Sequence, residues 1–327
     1  MTSRTRRAGI GLMALLVAVA VAAPVLAPND PRVQHADLAN APPMRPRLID
    51  AAGTWRRPFV YPVRVVDRLA KRFEIVETPA PIRFFSDGRL ATTGDETPWL
   101  LLGGDPLGRD VFARILHGAR LSLAVAATAT VMALLLGAIA GALAGYAGGR
   151  IDRAIMAIAD VVVILPAAYV VVTFRAAMPL VLEPFAVFWT IVLVLAAASW
   201  PVPARGVRAI VAAERSLPYA EAAYAAGAGP LRILLRHLLP AASGHLATQG
   251  FLLFPAFILA EATLSFLGLG FADPTASWGV MLIDAGNVSA IAETPWLLAP
   301  AGMIVVAVLA THFVTGGGAE REPSVRL

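Results

Sequence analysis

The chain has 327 residues, 58% hydrophobic and only 15% charged, with a mean hydropathy of +0.70, against roughly 25% charged residues in soluble domains, so a soluble globular class is excluded. Its net charge of +5 is almost wholly arginine, Lys71 being the lone lysine, and the arginines lie in loops between apolar blocks, which fits membrane topology rather than a nucleic-acid surface. The lack of cysteine excludes disulfides and thiolate metal sites.

A bilayer core about 30 Å thick needs roughly 20 apolar residues in a helix. The first such stretch is Ala8 to Ala27, preceded by Arg4, Arg6 and Arg7. A cleaved signal peptide is the competing reading, but the stretch is long for one and Pro28 stands where cleavage after Ala27 would fall. Residues 1–28 therefore read as a retained transmembrane anchor. Residues 29–104 read as a long insertion on the outer side. They are proline-rich early (APPMRPR) and mixed in charge later (VVDRLAKRFEIVE), and loop-rich with no metal or nucleophile pattern. Further spans read at about 119–147, 153–175, 186–208, 243–268 and 295–315, so the expected fold is an all-α membrane protein with six transmembrane helices. The core runs over 105–315, with a short tail at 316–327.

Orientation follows from arginines in short loops. With the N-terminus inside, the cytoplasmic segments hold Arg4, Arg6, Arg7, Arg150, Arg153, Arg205, Arg208, Arg215, Arg232, Arg236, Arg321 and Arg326, and the short outer loops hold only Arg175. Both termini are expected in the cytoplasm, as is the loop between spans four and five, residues 211–242.

That loop interrupts the apolar pattern with YAEAAYAAGAGPLRILLRHLLPAA, residues 219–242. Ser216 and Pro218 suit a helix start, and Gly227 and Gly229-Pro230 suit a stop, a bend and a restart. The second helix is expected to run from Pro230 to Leu239 and end at Pro240. Arg232 and Arg236 would share one face, with Leu231, Leu234, Leu235 and Leu238 on the other. The small residues Ala222, Ala223, Ala225, Ala226, Gly227 and Ala228 would leave a shallow surface with Glu221 as an anionic handle. On physical grounds this pattern serves equally as a docking surface for another protein or as an interfacial helix pair with snorkelling arginines.

Glu221-Ala222-Ala223, then Gly227, then Leu239-Pro240 resembles the EAA loop of ABC importer permeases, and His237 before the Leu-Leu-Pro resembles the dipeptide/oligopeptide/nickel branch. DPLGRDVFARILHGARLSL (105–123), GYAGGRIDRAIMAIAD (145–160) and EATLSFLGLGFADPTASWGVML (261–282) are similar to that branch's C-type permeases, in the same order. The resemblance covers roughly 105–310 and implies a type I ABC importer permease fold in a bacterial-type inner membrane. It implies that Glu221, Ala222, Ala223, Gly227, Ala228, Arg232, Arg236, His237, Leu239 and Pro240 couple to cytoplasmic ATPases. It also implies a homologous second permease, two ABC ATPase subunits that bind the ATP and magnesium, an extracytoplasmic substrate-binding protein and surrounding lipid, for import of peptides or similar small solutes. The insertion is longer than is usual for the family, and the C-terminal THFVTGGGAEREPSVRL follows it only loosely.

Asp160 and Glu261 fall inside spans three and five. Intramembrane carboxylates cost about 2.5–3.5 kcal/mol on insertion scales and face a cavity or a partner. They would line the translocation path or fix packing between subunits. A proton-coupled secondary transporter is the alternative that uses them as carriers; an exporter component and an anchored outer sensor are further rivals. Gly137, Gly141 and Gly145 form a small-residue face suited to close helix packing, and Trp200 and Trp278 read as interfacial anchors. The five histidines show no ligand spacing, so no metal site is expected. A phosphate-binding loop needs Gly-Lys-Ser/Thr, and Lys71 follows Ala70. The chain is therefore expected to be a transport subunit without cofactor or catalytic site.

Overall fold

The computed structural model describes residues 3–68, 70–94, 97–165, 173, 183–286 and 292–315. The chain divides into two compact units, residues 1–6, 124–261 and 311–327 in one and residues 7–123 and 262–310 in the other. In chain order the helices are α1 (Ser3–Val21), α2 (Ala23–Leu26), α3 (Val111–Ala147), α4 (Gly149–Ile164), α5 (Pro184–Ser199), α6 (Pro201–Glu214), α7 (Pro218–Ala225), α8 (Pro230–Ile233), α9 (Ser243–Phe266), α10 (Trp278–Ala285) and α11 (Ala299–Thr315).

Three helical stretches among the described residues are long and apolar enough to cross a membrane: Val111–Ala147, Pro230–Phe266 and Pro295–Val314. The pair α5–α6, bent by 46° at Trp200, passes the same test only when the two helices are taken together as one span. Pro201 and Pro203 explain the bend. Each lacks an N–H and each ring clashes with the preceding turn, which the first turn of a new helix tolerates. The expected first span, Ala8–Ala27, overlaps α1, whose N-terminal turns carry three arginines, and the expected third is described to Leu165 and at residue 173, the rest of it lying outside the described residues.

In the first unit the small-residue face of α3 lies directly on α6. A Cβ on Gly137 would stand 2.7 Å from Cγ of Pro203, one on Gly141 2.3 Å from the Ala204 carbonyl oxygen, and one on Gly145 2.6 Å from that of Arg208. Only glycine permits this approach, as expected for a GxxxG face. α6 is also tied to α4 by two ion pairs, Arg208 to Asp152 and Arg205 to Asp160.

In the second unit the insertion, expected to be loop-rich, carries regular structure. It holds seven strands, β1 (Arg47–Ile49), β2 (Trp55–Val60), β3 (Val63–Asp67), β4 (Arg72–Ile75), β5 (Ala80–Pro81), β6 (Arg83–Ser86) and β7 (Arg89–Thr92). They form an antiparallel sheet ordered β1-β2-β5 and the hairpins β3-β4 and β6-β7. The β6-β7 hairpin turns at Asp87-Gly88, whose φ angles of +55° and +71° lie between the paired Ser86 and Arg89. A two-residue loop with both φ positive matches strand twist, and Asp-Gly is a preferred pair for it. Val60, Ala80 and Ile82 form one small core and Leu38, Ala41, Met44 and Leu100 another, with Trp99 packed against both.

Trp278, expected as an interfacial anchor, is wholly buried at the start of α10. Its indole Nε1 donates to the Ile115 carbonyl at 3.2 Å, and its backbone N–H donates to Ser122 Oγ at 3.3 Å. A Cβ on Gly118 would be 3.2 Å from its ring, so this glycine makes room for the indole. Trp200 is half-buried at the α5–α6 bend rather than at a span end.

Candidate functional site

The 218–242 segment is a helical hairpin in the first unit. Ser216 does not cap α7. Its hydroxyl donates back to the Ala213 carbonyl at 2.8 Å, closing the end of α6, and Pro218 starts α7 after an extended Leu217. The stop at Gly227 is a Schellman turn. Gly227 has φ +78°, its N–H donates to Tyr224 at 2.9 Å, and the Ala228 N–H donates to Ala223 at 3.1 Å.

The second arm differs from expectation. Pro240 does not end it. The α8 turn passes into a π turn at Leu234–Leu238 and a 3-10 turn at Leu239–Ala242, then into α9, so Pro230–Phe266 is helical throughout. A proline inside a helix loses one i→i−4 bond and clashes with that carbonyl. A π turn before it widens the helix at that point. The leucines that face inward also differ from the expected set. Ile233, Leu234 and Leu238 are buried, whereas Leu231 and Leu235 are exposed beside Arg232 and Arg236.

The buried side of the hairpin packs with Val207 and Val211 of α6 and Ala142 of α3, and Ala220, Ala223, Ala228 and Leu239 complete that core. The open side presents Glu221, Ala222, Ala225, Ala226 and Gly227, and a Cβ at Gly227 would have nothing within 4 Å. His237 is half-buried with its ring centroid 6.4 Å from that of Tyr219. Tyr219 donates its hydroxyl to Glu214 at 2.6 Å, and that bond to a carboxylate pushes the phenol up to about 12. The hairpin base is fixed where Arg215 donates to the Tyr146 carbonyl and its guanidinium lies 5.4 Å from the Tyr146 ring centroid.

The two candidate carboxylates have different surroundings. Asp160 accepts from Arg205 Nη2 at 2.6 Å and is largely exposed, so the cation missing from its sequence neighbourhood comes from a helix 45 positions on. Glu261 is wholly buried within α9.

Sequence reasoning missed an ion cluster in the second unit. Arg109 Nε donates to Asp105 Oδ2 at 2.6 Å and its Nη1 to Asp273 Oδ1 at 2.8 Å, and Arg114 Nη2 reaches the same Asp273 oxygen at 3.2 Å. Both arginines and Asp105 are almost fully buried. Burial alone would lower the Arg109 guanidinium, but its bonds to Asp273 and Asp105 outweigh that and leave it raised. Burial pushes nearby Asp284 up to about 6. The Asp-x-x-x-Arg spacing at 105–109 was the available signal; the partner at 273 is visible only in three dimensions.

Residues 133–316 match the family model described as "Binding-protein-dependent transport system inner membrane component". The chain belongs to this family. It is an inner-membrane transport component rather than an enzyme, in keeping with its apolar helices. It is 36% identical over 216 residues to the oligopeptide transport system permease protein OppC of Bacillus subtilis, covering 66% of this chain and 68% of that protein. It is 37% identical over 218 residues to the di/tripeptide transport system permease protein DppC of Pseudomonas aeruginosa, covering 66% and 69%. Among solved structures, a chain of the MetNI methionine ABC transporter shows a TM-score of 0.48 at 19% identity, covering 62% of this chain and 93% of that one.

Proposed function

We propose that this chain is a path-forming permease subunit of an ATP-driven importer for peptides or similar small solutes, and that its 218–242 hairpin is the contact through which ATPases drive it. The carrying observation is the open small-residue face around Gly227, held by the Schellman turn on one side and a buried core on the other. Such a surface lets another protein's backbone approach closely, with Glu221, Arg232 and Arg236 as charged points at its edge. The names of the OppC and DppC relatives support peptide as the substrate class.

In this reading the chain has the six-span type I arrangement with both termini cytoplasmic and the strand-bearing insertion outside. It pairs with a homologous permease, and two cytoplasmic ATPases hold the ATP and magnesium. An extracytoplasmic binding protein delivers substrate, and closure of the ATPases moves the paired hairpins and alternates access to the path. Asp160 and Glu261 contribute to the path or to packing between subunits.

The test places a photo-reactive group at Ala222 in the assembled complex in native membranes. The expected adduct joins this chain to a nucleotide-hydrolysing subunit, and peptide uptake into vesicles requires ATP. Adducts to lipid alone, or peptide uptake driven by a pH gradient without ATP, would overturn the proposal.

A further inference from the structure

A cleft of about 490 Å³ in the second unit is lined by the β1-β2 pair, its connecting loop and the chain that leaves β4. Arg47, Asp50, Arg56, Tyr61, Ile75 and Glu77 line it. That volume lies within the roughly 300–1,000 Å³ typical of ligand pockets. An extended di- or tripeptide, about 7–10 Å long, is on the same scale.

The two cations of the cleft are held by neighbours that leave donors open. Asp50 accepts from the Ala52 and Thr54 N–H groups at 3.0 and 2.9 Å, which fixes its carboxylate in the loop, and from Arg56 Nε at 2.7 Å. Nη1 and Nη2 of Arg56 have no hydrogen bond among the described residues. The Arg47 guanidinium lies 5.5 Å from the Tyr61 ring centroid. That ring stands edge-on to the buried Phe59 at 5.1 Å, and its Oη accepts from the Ala51 N–H at 3.3 Å. Both guanidinium groups are thus ordered by the protein itself, which lowers the entropy cost of binding. Glu77 is exposed on the same cleft, pairs with neither arginine, and has no hydrogen bond or ion pair among the described residues. A guanidinium matches a carboxylate with two parallel hydrogen bonds. A ligand with negative charge alone would be repelled by Glu77, whereas one that also carries an ammonium finds an opposite charge for each of its own.

We propose that this cleft binds a short peptide with free ends, its carboxylate on Arg47 and Arg56, its ammonium on Glu77, and its middle against Tyr61 and Ile75. The choice of peptide among zwitterions rests on the importer reading above. The strand-bearing insertion then carries a substrate site of its own.

The test uses the purified assembly in nanodiscs and the tripeptide Ala-Leu-Ala with a diazirine in its leucine side chain, adducts being mapped by mass spectrometry. Wild type should give adducts within residues 47–61 and 75–79, the segments that line the cleft. Acetylating the peptide's N-terminus or amidating its C-terminus should reduce their yield at least fivefold. Glu77→Gln should abolish the effect of acetylation and keep that of amidation. Arg47→Gln should at least halve the effect of amidation and keep that of acetylation. No adducts in these segments, equal yields from free and blocked peptides, or discrimination against the acetylated peptide that survives Glu77→Gln would overturn the proposal. Should Arg47→Gln not assemble, the Glu77→Gln comparison decides alone. ATP-driven uptake of the same peptide at saturation separates the two readings: its absence in wild type strikes the importer reading, whereas the adduct pattern decides this one.

Discussion

Arg208 grips Asp152 with two parallel hydrogen bonds, Nε to Oδ1 at 2.7 Å and Nη2 to Oδ2 at 2.6 Å. This fork geometry is specific to a guanidinium, since an ammonium offers only a point charge. With Arg205 and Asp160 it fastens α4 to α6, the helix that α3 also approaches. Arg208→Lys keeps the charge and loses the fork. Because the pair is partly open to solvent, the expected cost is about 0.5–1 kcal/mol, a fall of roughly 1–4 °C in the thermal midpoint for a domain of this size. An unchanged midpoint in detergent would show that the fork contributes nothing.

Gly141→Ala should be far more damaging than its single methyl suggests. The new Cβ would stand 2.3 Å from a backbone oxygen of α6, so the two helices must part. Overpacking of this kind costs about 1–3 kcal/mol. Gly302→Ala, also helical but with nothing within 4 Å, is the control and should be neutral or slightly stabilising. Equal melting of the two variants would argue against the close contact between α3 and α6.

Asp110 makes stability depend on pH. Burial pushes its carboxyl up to about 7 from 3.8, although the Asn29 side chain donates to it at 2.8 Å and the Phe112 N–H at 2.9 Å. A carboxyl raised in the folded state favours its protonated form there. Its contribution is therefore complete below pH 3.8 and is lost as pH rises through about 7. Asp110→Asn cannot ionise, so the slope of thermal midpoint against pH between 4 and 7 should flatten in that variant. A slope identical to wild type would place the titration elsewhere.

Gly227→Asp separates docking from folding. Aspartate tolerates positive φ better than most residues, and nothing in the chain crowds the site, so the subunit should insert at near-normal levels. Peptide uptake should nevertheless fall more than tenfold, because a charged side chain fills the surface proposed to meet the ATPase. Glu221→Ala, at the edge of that surface, should reduce uptake by less than tenfold. Comparable losses in the two variants would mean that charge, not shape, governs the contact.

Much of this architecture is legible in the linear order of residues. The span read at 243–268 matches α9, and the glycines at four-residue spacing mark the contact with α6. Gly227 stops its helix as its spacing predicts. These signals are local, and local signals survive without tertiary knowledge. The failures have a common physical origin in partners that are distant in sequence. The span expected from residue 119 belongs to a helix that starts at Val111, and Arg114 in its first turn is buried against Asp273. Trp278 resembles an interfacial anchor until the Ile115 carbonyl meets its indole. The strands carry one readable signal, Asp87-Gly88 between Phe84-Phe85 and Leu90-Ala91.

The π turn at Leu234–Leu238 has a mechanical corollary. Since it lets the chain pass Pro240 without leaving a helical course, Arg232 and Glu261 ride on one rod, about 40 Å apart at 1.5 Å per residue. In the proposed coupling, a push on the exposed elbow would travel along this stretch toward the buried carboxylate, with the π turn and Pro255 as the points where the rod can bend.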